Sequence, residues 1–231
     1  MKVGEVEIEW LGHASFLIAP KGISPKDGKN SKIIYIDPFN LKEGTEKADL
    51  ILLTHSHYDH CSIADINKII KEGTKIIFPV DCQSKITKLD IPVRMVIAEP
   101  GQEIEFGTIK ISTLPAYNLD KHFHPKDEGW LGYLIKMNDV LIYHAGDTDV
   151  IPEMQILTGH NQANKKLIAL LPVGGRFTMN PEEAFEAAKI IKPFMTIPMH
   201  YGSIVGTEDD AREFASFCKD ENISVQIMEK G

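Results

Sequence analysis

The hexapeptide His55-Ser56-His57-Tyr58-Asp59-His60 places three imidazoles and a carboxylate in one short stretch of chain. Such side chains are costly to bury unless they are paired or bound to a cation. Imidazole and carboxylate are also standard ligands of zinc and of other first-row metals. Residues two apart on an extended backbone point to the same side, so His55 and His57 can reach one ion. The hexapeptide therefore predicts a metal centre.

Three later segments offer further polar side chains, and each begins where an apolar stretch ends. They are Pro115-Ala116-Tyr117-Asn118, His144-Ala145-Gly146-Asp147-Thr148-Asp149 and Met199-His200-Tyr201-Gly202. Loops that follow buried strands are common places for binding and catalytic residues. The three segments therefore supply further candidate ligands.

Together these motifs resemble the metallo-β-lactamase superfamily. The resemblance is carried by His55-x-His57-x-Asp59-His60, Gly146-Asp147-Thr148 and Pro198-Met199-His200-Tyr201-Gly202. The segment Trp10-Leu11-Gly12-His13-Ala14-Ser15 narrows it to metal-dependent hydrolases similar to ascorbate-phosphate lactonases and N-acyl-phosphatidylethanolamine phospholipases. The resemblance implies an α/β fold, an αββα sandwich of two mixed β-sheets flanked by helices. It also implies one such domain over residues 1–231.

The resemblance implies two metal positions. Their ligands would be His55, His57, Asp59, His60, Asp147 and His200. His55 and His57 would bind the first metal, and Asp147 would bridge both metals. The ligands of the second metal would be Asp59, His60 and His200. The family has a histidine where this chain has Asn118, and an amide oxygen is a weaker zinc ligand. The first position would then hold metal weakly, stay empty, or recruit His122 or His124 from the following loop.

The expected cofactor is one or two divalent metal ions, with zinc favoured and manganese, nickel or iron as alternatives. His13 and His144 are candidates to orient a ligand. Tyr201 is a candidate to donate a hydrogen bond to a developing oxyanion. Four residues are candidates to contact an anionic substrate, with solvated surface positions as the alternative reading: Lys121, Lys126, Trp130 and Arg176.

The predicted reaction is hydrolysis. Metal-activated water would attack an ester, lactone, amide or phosphodiester of a small substrate, with Asp59 or Asp147 orienting that water. One rival is a nuclease of the same superfamily that acts on RNA, and another is a non-catalytic metal-binding module. The net charge of −8 counts against a nucleic-acid partner, because such binding depends on clustered Lys and Arg.

The 231 residues suffice for one well-buried domain. No apolar run is long enough to cross a bilayer, and the N-terminus lacks the apolar segment of a signal peptide. Three widely spaced cysteines, Cys61, Cys82 and Cys218, fit a reducing compartment better than a disulfide framework. We therefore expect a cytoplasmic protein with a small-molecule substrate and no membrane span, and leave homo-oligomerisation open.

Hydrophobic periodicity and turn residues predict the elements that position these side chains. Strands are expected over 6–11, 15–19, 32–36, 50–53, 75–79, 93–98, 104–106, 109–114, 131–137, 140–144, 167–171, 195–198 and 224–228. Helices are expected over 63–71, 83–89, 181–191 and 208–219. Residues 21–32 are expected to form a long hairpin loop, and Asn138-Asp139 a tight turn.

Overall fold

The structure is a computed structural model and describes residues 1–20 and 32–231. The chain folds as two compact units. The first unit comprises Met1–Glu99 with Lys230–Gly231, and the second comprises Pro100–Glu229. The predicted hairpin loop at 21–32 lies almost wholly outside the described residues. The prediction of a single domain over 1–231 stays a prediction.

Within the described residues, the first unit has one seven-stranded mixed sheet, ordered along the chain. Its strands are β1 Lys2–Val3, β2 Val6–Gly12, β3 Ser15–Pro20, β4 Ile34–Ile36, β5 Leu50–Leu52, β6 Lys75–Phe78 and β7 Arg94–Ile97. Pairs from β1 to β4 are antiparallel, and pairs from β4 to β7 are parallel. Helices α1 Ile63–Ile69 and α2 Gln83–Ile86 belong to this unit.

The burial of these strands follows their sequence patterns. Strand β2 alternates, with Val6 and Ile8 buried and Glu9 exposed, as in a strand with one covered face. Strands β4 and β5 are apolar throughout and fully buried, as expected for parallel strands that are covered on both faces.

The second unit has a six-stranded mixed sheet in the order β13-β12-β11-β10-β9-β8. Its strands are β8 Glu103–Phe106, β9 Ile109–Pro115, β10 Leu131–Met137, β11 Val140–His144, β12 Lys166–Pro172 and β13 Met195–Met199. The β11–β12 and β12–β13 pairs are parallel, and the remaining pairs are antiparallel. Helices are α3 Pro181–Ile191 and α4 Glu208–Asp220.

Most predicted elements are confirmed within one or two residues of their expected ends. Asn138 adopts φ +56° in the tight turn that joins β10 to β11, and Met137 pairs with Val140. Helix α3 begins with the predicted capping box of Asn180 and Glu183. The predicted last strand is wrong: residues 224–228 form only an isolated bridge from Val225 to β13.

The expectation of an α/β fold with two mixed β-sheets and flanking helices is confirmed. In each unit the predicted ligands follow the carboxyl ends of parallel strands. The hexapeptide follows β5, Asp147 follows β11 and His200 follows β13. Among the described residues, no helix combines the length and the apolar composition that crossing a bilayer requires.

Candidate metal centre

The hexapeptide forms a tight turn directly after β5 in the first unit. The peptide N–H groups of His60 and Cys61 both donate to the carbonyl oxygen of His57, at 3.1 and 2.8 Å. The turn brings the rings of His55 and His60 to a centroid separation of 4.1 Å. We call His13, His55, His57, Asp59 and His60 the first cluster.

A buried carboxylate that sequence reasoning did not identify, Asp37, supports this turn. Its Oδ2 lies 2.7 Å from Nδ1 of His60, and both side chains are fully buried. The Thr54 hydroxyl donates to Oδ2 at 2.7 Å, and the Thr54 peptide N–H donates to Oδ1 at 2.8 Å. Because a carboxylate oxygen accepts, Nδ1 of His60 carries the proton. Its Nε2 therefore presents a lone pair, the state that a metal ligand requires.

Thr54 sets the tautomer of His55 by the same logic. Its hydroxyl proton goes to Asp37, so its oxygen accepts from Nδ1 of His55 at 2.9 Å. Nε2 of His55 then lies 2.9 Å from Nδ1 of the exposed His57. This contact is short enough for a hydrogen bond between the two rings, and it places a ligand atom of each histidine within reach of one ion.

His13 lies against Asp59, as its candidate supporting role requires. It occupies the turn between β2 and β3 with φ +54°, and the Trp10 indole donates to its carbonyl oxygen at 2.9 Å. Nε2 of His13 lies 2.9 Å from Oδ2 of Asp59. Ligand atoms of His13, Asp59 and His60 all lie within 4.8 Å of one another.

In the second unit, three buried residues from separate segments meet and form the second cluster: His124, Asp147 and His200. Oδ2 of Asp147 lies 3.2 Å from Nε2 of His124 and 3.1 Å from Nε2 of His200. Gly174 permits the backbone approach beside His200, because a Cβ there would lie 2.4 Å from the His200 carbonyl oxygen. One carboxylate oxygen thus faces two imidazoles.

Asn118 positions the loop that carries His124. Its amide nitrogen donates to the carbonyl oxygens of Phe123 and Phe177, at 2.8 and 2.7 Å. Nδ1 of His124 lies 3.0 Å from the Phe177 carbonyl oxygen, so Nδ1 carries the proton. Nε2 of His124 therefore presents its lone pair on the side of Asp147. Of the two loop histidines that sequence reasoning proposed, His124 is buried in the cluster and His122 is exposed.

The remaining candidates fall outside the two clusters. His144 is fully buried, and its Nδ1 accepts from the Gly146 peptide N–H at 3.2 Å, which shapes the turn before Asp147. Tyr201 is buried, and burial together with the Glu208 carboxylate raises its pKa to about 12. Its phenol therefore stays protonated at neutral pH and can act as a donor.

The four substrate-contact candidates differ in what they touch. Lys121 forms ion pairs with Asp149 and Glu183. Lys126 pairs with the Glu153 carboxylate at 3.0 Å. Of the other two, Trp130 is buried edge-to-face against His124 at 5.3 Å, and Arg176 is exposed with its guanidinium 5.0 Å from the Phe177 ring.

Four residues in or beside the clusters adopt a left-handed backbone that side chains other than glycine seldom adopt. Their φ angles lie between +45° and +59°: His13, Asp37, His124 and His200. Such conformations cost free energy and persist where the surrounding structure imposes them, which is typical of functional sites. The presence of four such residues in or beside the clusters indicates that the surrounding structure holds the backbone there in conformations that position these side chains.

Sequence comparison identifies the family. The profile of a family described as the β-lactamase superfamily domain matches residues 7–200. The chain belongs to the metallo-β-lactamase superfamily. It is 34% identical over 235 residues to a metal-dependent hydrolase of Thermococcus kodakarensis, with 98% of this chain and 97% of the other covered. A metal-dependent hydrolase of Archaeoglobus fulgidus is 29% identical over 237 residues, with 96% and 95% covered.

Solved structures of the superfamily share the fold. A metallo hydrolase of Ignicoccus hospitalis aligns with a TM-score of 0.75 and 27% identity, covering 98% of this chain and 96% of that one. A structure from Parabacteroides distasonis aligns with a TM-score of 0.80 and 29% identity, covering 98% and 94%. The protein is therefore a metal-dependent hydrolase of the metallo-β-lactamase superfamily.

The donor chemistry of each cluster, taken by itself, fits a divalent cation. In both clusters a histidine has its Nδ1 proton held by an oxygen acceptor, which leaves Nε2 with a lone pair. A carboxylate lies beside that histidine in each case, Asp59 in the first cluster and Asp147 in the second. Imidazole and carboxylate together suit zinc, manganese, iron or nickel.

Proposed function

We propose that this hydrolase cleaves an ester, lactone, amide or phosphodiester bond of a small anionic substrate. We further propose that His55, His57, Asp59, His60, Asp147 and His200 bind one or two divalent ions, zinc first among them. His124 takes the place of the family's third histidine, and Asn118 holds the His124 loop instead of ligating. The observation that carries this proposal is the set of Nδ1 hydrogen bonds that leave lone pairs on the Nε2 atoms of His55, His60 and His124.

When bound, the metal lowers the pKa of a water molecule and polarises the substrate oxygen. The protein supplies the rest. His13 lies 2.9 Å from Oδ2 of Asp59 and fixes that carboxylate, whose Oδ1 is the proposed acceptor of a hydrogen bond that orients the attacking water. Tyr201, protonated because its pKa is about 12, is the proposed donor to the developing oxyanion.

Arg176 is the proposed partner of the substrate's anionic group. Lys121 and Lys126 are each engaged by carboxylates, whereas the Arg176 side chain is exposed over Phe177. Phe177 also packs edge-to-face on Phe123 at 4.7 Å, and Phe123 is 47% exposed. A guanidinium over one ring of this aromatic pair suits a substrate that carries an anion beside an apolar group.

Metal content and turnover of two matched histidine variants test the ligand assignment. We expect His124→Ala to lose metal by elemental analysis and to lose hydrolysis across a panel of esters, lactones, amides and phosphodiesters. His122→Ala, which removes an exposed ring two residues away, should keep both. Full metal content in His124→Ala would refute the assignment.

The substrate proposal has its own test. Arg176→Met should raise KM for anionic substrates by about tenfold, the loss of one charge-assisted contact, with kcat little changed. Lys110→Met is the matched control, because Lys110 is an exposed cation of strand β9 that pairs with Glu105 of strand β8. An unchanged KM in Arg176→Met would show that the anion is recognised elsewhere.

A further inference from the structure

Two large apolar side chains at the hexapeptide are exposed. Tyr58 is 62% exposed and Val80 is 61% exposed, more than any other large apolar side chain that the structure describes in the first unit. Val80 adjoins Asp81, whose carboxylate accepts from the Ser56 peptide N–H at 3.2 Å. Exposed apolar groups that collect at one place on a protein surface commonly mark a binding site.

A series of rings leads from the first cluster to Tyr58. The His60 and His13 rings lie edge to face, with their centroids 5.6 Å apart. The Phe39 ring lies 5.9 Å from the His13 ring, and the Tyr58 ring lies edge to face with Phe39 at 6.0 Å. These separations are typical of favourable aromatic contacts. We call Phe39 and Tyr58 the aromatic ledge, which is continuous with the first cluster.

The start of helix α1 fixes the backbone beside Phe39. The Asp65 carboxylate accepts from the peptide N–H groups of Asn40 and Leu41, each at 3.0 Å. The hydroxyl of Ser62, the N-cap of α1, donates to the same carboxylate at 2.7 Å. Ser62 lies two residues after the hexapeptide, so one support serves both segments of the ledge. A surface that is ordered before binding loses less conformational entropy when a ligand binds.

We propose that the aromatic ledge binds an aryl group of the substrate. This inference deepens the proposed function and rests on it, because it takes the hexapeptide as part of the reacting centre. An aryl ring can extend the edge-to-face series by one more ring, and such a contact stabilises the complex beyond the burial of apolar area. An aliphatic side chain in place of Tyr58 would offer the area alone.

The position of Tyr58 connects aryl binding to the reaction. In the chain Tyr58 lies between two proposed ligands, His57 and Asp59, so a group bound on its ring is held beside the metal-binding turn. Contacts with a part of the substrate that does not react can position the bond that does. The substrate class is therefore an anionic ester, lactone, amide or phosphodiester that carries an aryl group.

Calorimetric titration of the zinc-incubated protein with phenylphosphonate and methylphosphonate tests the ledge. Both probes carry the same anionic group, so the ratio of their dissociation constants isolates the ring. We expect the wild type to bind phenylphosphonate about tenfold more tightly. Tyr58→Phe, which keeps the ring, should keep this ratio, whereas Tyr58→Leu should lower it by about threefold and Tyr58→Ala should bring it close to one. Equal ratios in the Phe and Leu variants, or no preference in the wild type, overturn the proposal.

Two further ring deletions locate the aryl group. Phe194→Ala is the matched control, because Phe194 is 40% exposed and precedes β13, at the end opposite to His200. It should keep the wild-type ratio. Phe123→Ala tests the aromatic pair of the second unit as the rival position. A ratio that falls in Phe123→Ala and not in Tyr58→Ala assigns the aryl group to that pair and overturns the proposal.

The outcomes separate this inference from the proposed function. A preference for phenylphosphonate that Tyr58→Ala abolishes, in a protein that neither binds zinc nor hydrolyses any member of the substrate panel, supports the ledge as a binding surface and refutes the proposed function. Zinc-dependent hydrolysis together with equal ratios in the wild type and Tyr58→Ala supports the proposed function and refutes the ledge.

Discussion

The two donor clusters are built in opposite ways. The first uses four residues of one hexapeptide on a single turn after β5, with His13 added from the β2–β3 turn. The second joins His124, Asp147 and His200, which follow three different strands. A local cluster depends on the conformation of one turn, whereas a dispersed one depends on the register of a whole sheet.

The supports behind the ligands also differ. In the first cluster, His60 is held by the buried carboxylate of Asp37. In the second, His124 is held by the neutral carbonyl oxygen of Phe177, with Asn118 fastening the same loop. A hydrogen bond to a carboxylate is stronger than one to a neutral carbonyl, so the His60 ring is the more firmly held of the two.

Removing one ligand from either cluster has the largest expected effect. His60→Ala and Asp147→Ala should each lose metal, and activity should fall by about a thousandfold or more, because several kcal/mol of charge stabilisation are lost. Elemental analysis and steady-state kinetics measure both. If only one of the two variants loses activity, the two clusters do not contribute equally to catalysis.

Asp37→Asn tests the carboxylate support of the first cluster. We expect metal affinity to fall by about 10- to 100-fold, the usual cost of altering a group behind a ligating histidine. Asp49→Asn is the matched control, since Asp49 is a carboxylate that pairs with Lys71 and supports Ile33 instead. Similar affinities for the two variants in a chelator competition would contradict the role of Asp37.

Asn118→Ala tests the amide support of the second cluster. It removes two hydrogen bonds to carbonyl oxygens and should lower the free energy of unfolding by about 1–3 kcal/mol. Metal affinity should fall by about tenfold, less than in Asp37→Asn, because the His124 ring keeps its own bond to Phe177. Urea unfolding and metal titration provide the two measurements. A metal loss as complete as in His124→Ala would instead indicate that Asn118 ligates.

The buried Tyr201 should make the stability of the fold depend on pH in the alkaline range, and this is the smallest effect. Burial and Glu208 raise the pKa of Tyr201 from 10.0 to about 12, whereas Tyr58 in the hexapeptide is 62% exposed. A raised pKa stabilises the folded state fully below pH 10, and this contribution is lost as the pH rises through about 12. Its upper limit is about 2–3 kcal/mol.

Replacing the two tyrosines separates their contributions. The free energy of unfolding of Tyr201→Phe should depend less on pH between 10 and 12 than that of the wild type. Tyr58→Phe, which changes an exposed ring of the hexapeptide, is the matched control. Identical pH profiles for Tyr201→Phe and Tyr58→Phe would show that Tyr201 is not in a dry environment.

The sequence predicted most strands and helices because each unit follows regular periodicity with clear end signals. The helix at 181–191 was predicted to the residue, since Asn180, Pro181 and Glu183 form a recognisable start. The prediction of a strand at 224–228 was wrong. A short segment rich in β-branched residues forms a strand only where it pairs along a neighbouring strand, and here only Val225 forms a bridge. No local pattern reveals that condition.

The amino-acid sequence alone was enough to predict the superfamily, the hydrolase class and a cluster of potential metal ligands at the hexapeptide. Those ligands are close together in the chain, so their spacing is visible without the fold. The tertiary structure decided what lies behind those ligands. The support from Asp37, the burial of His124 rather than His122, and the hydrogen bonds of Asn118 all depend on contacts between distant segments. Asp37 and His124 adopt left-handed backbone conformations that only surrounding packing can impose, so no spacing in the sequence records them.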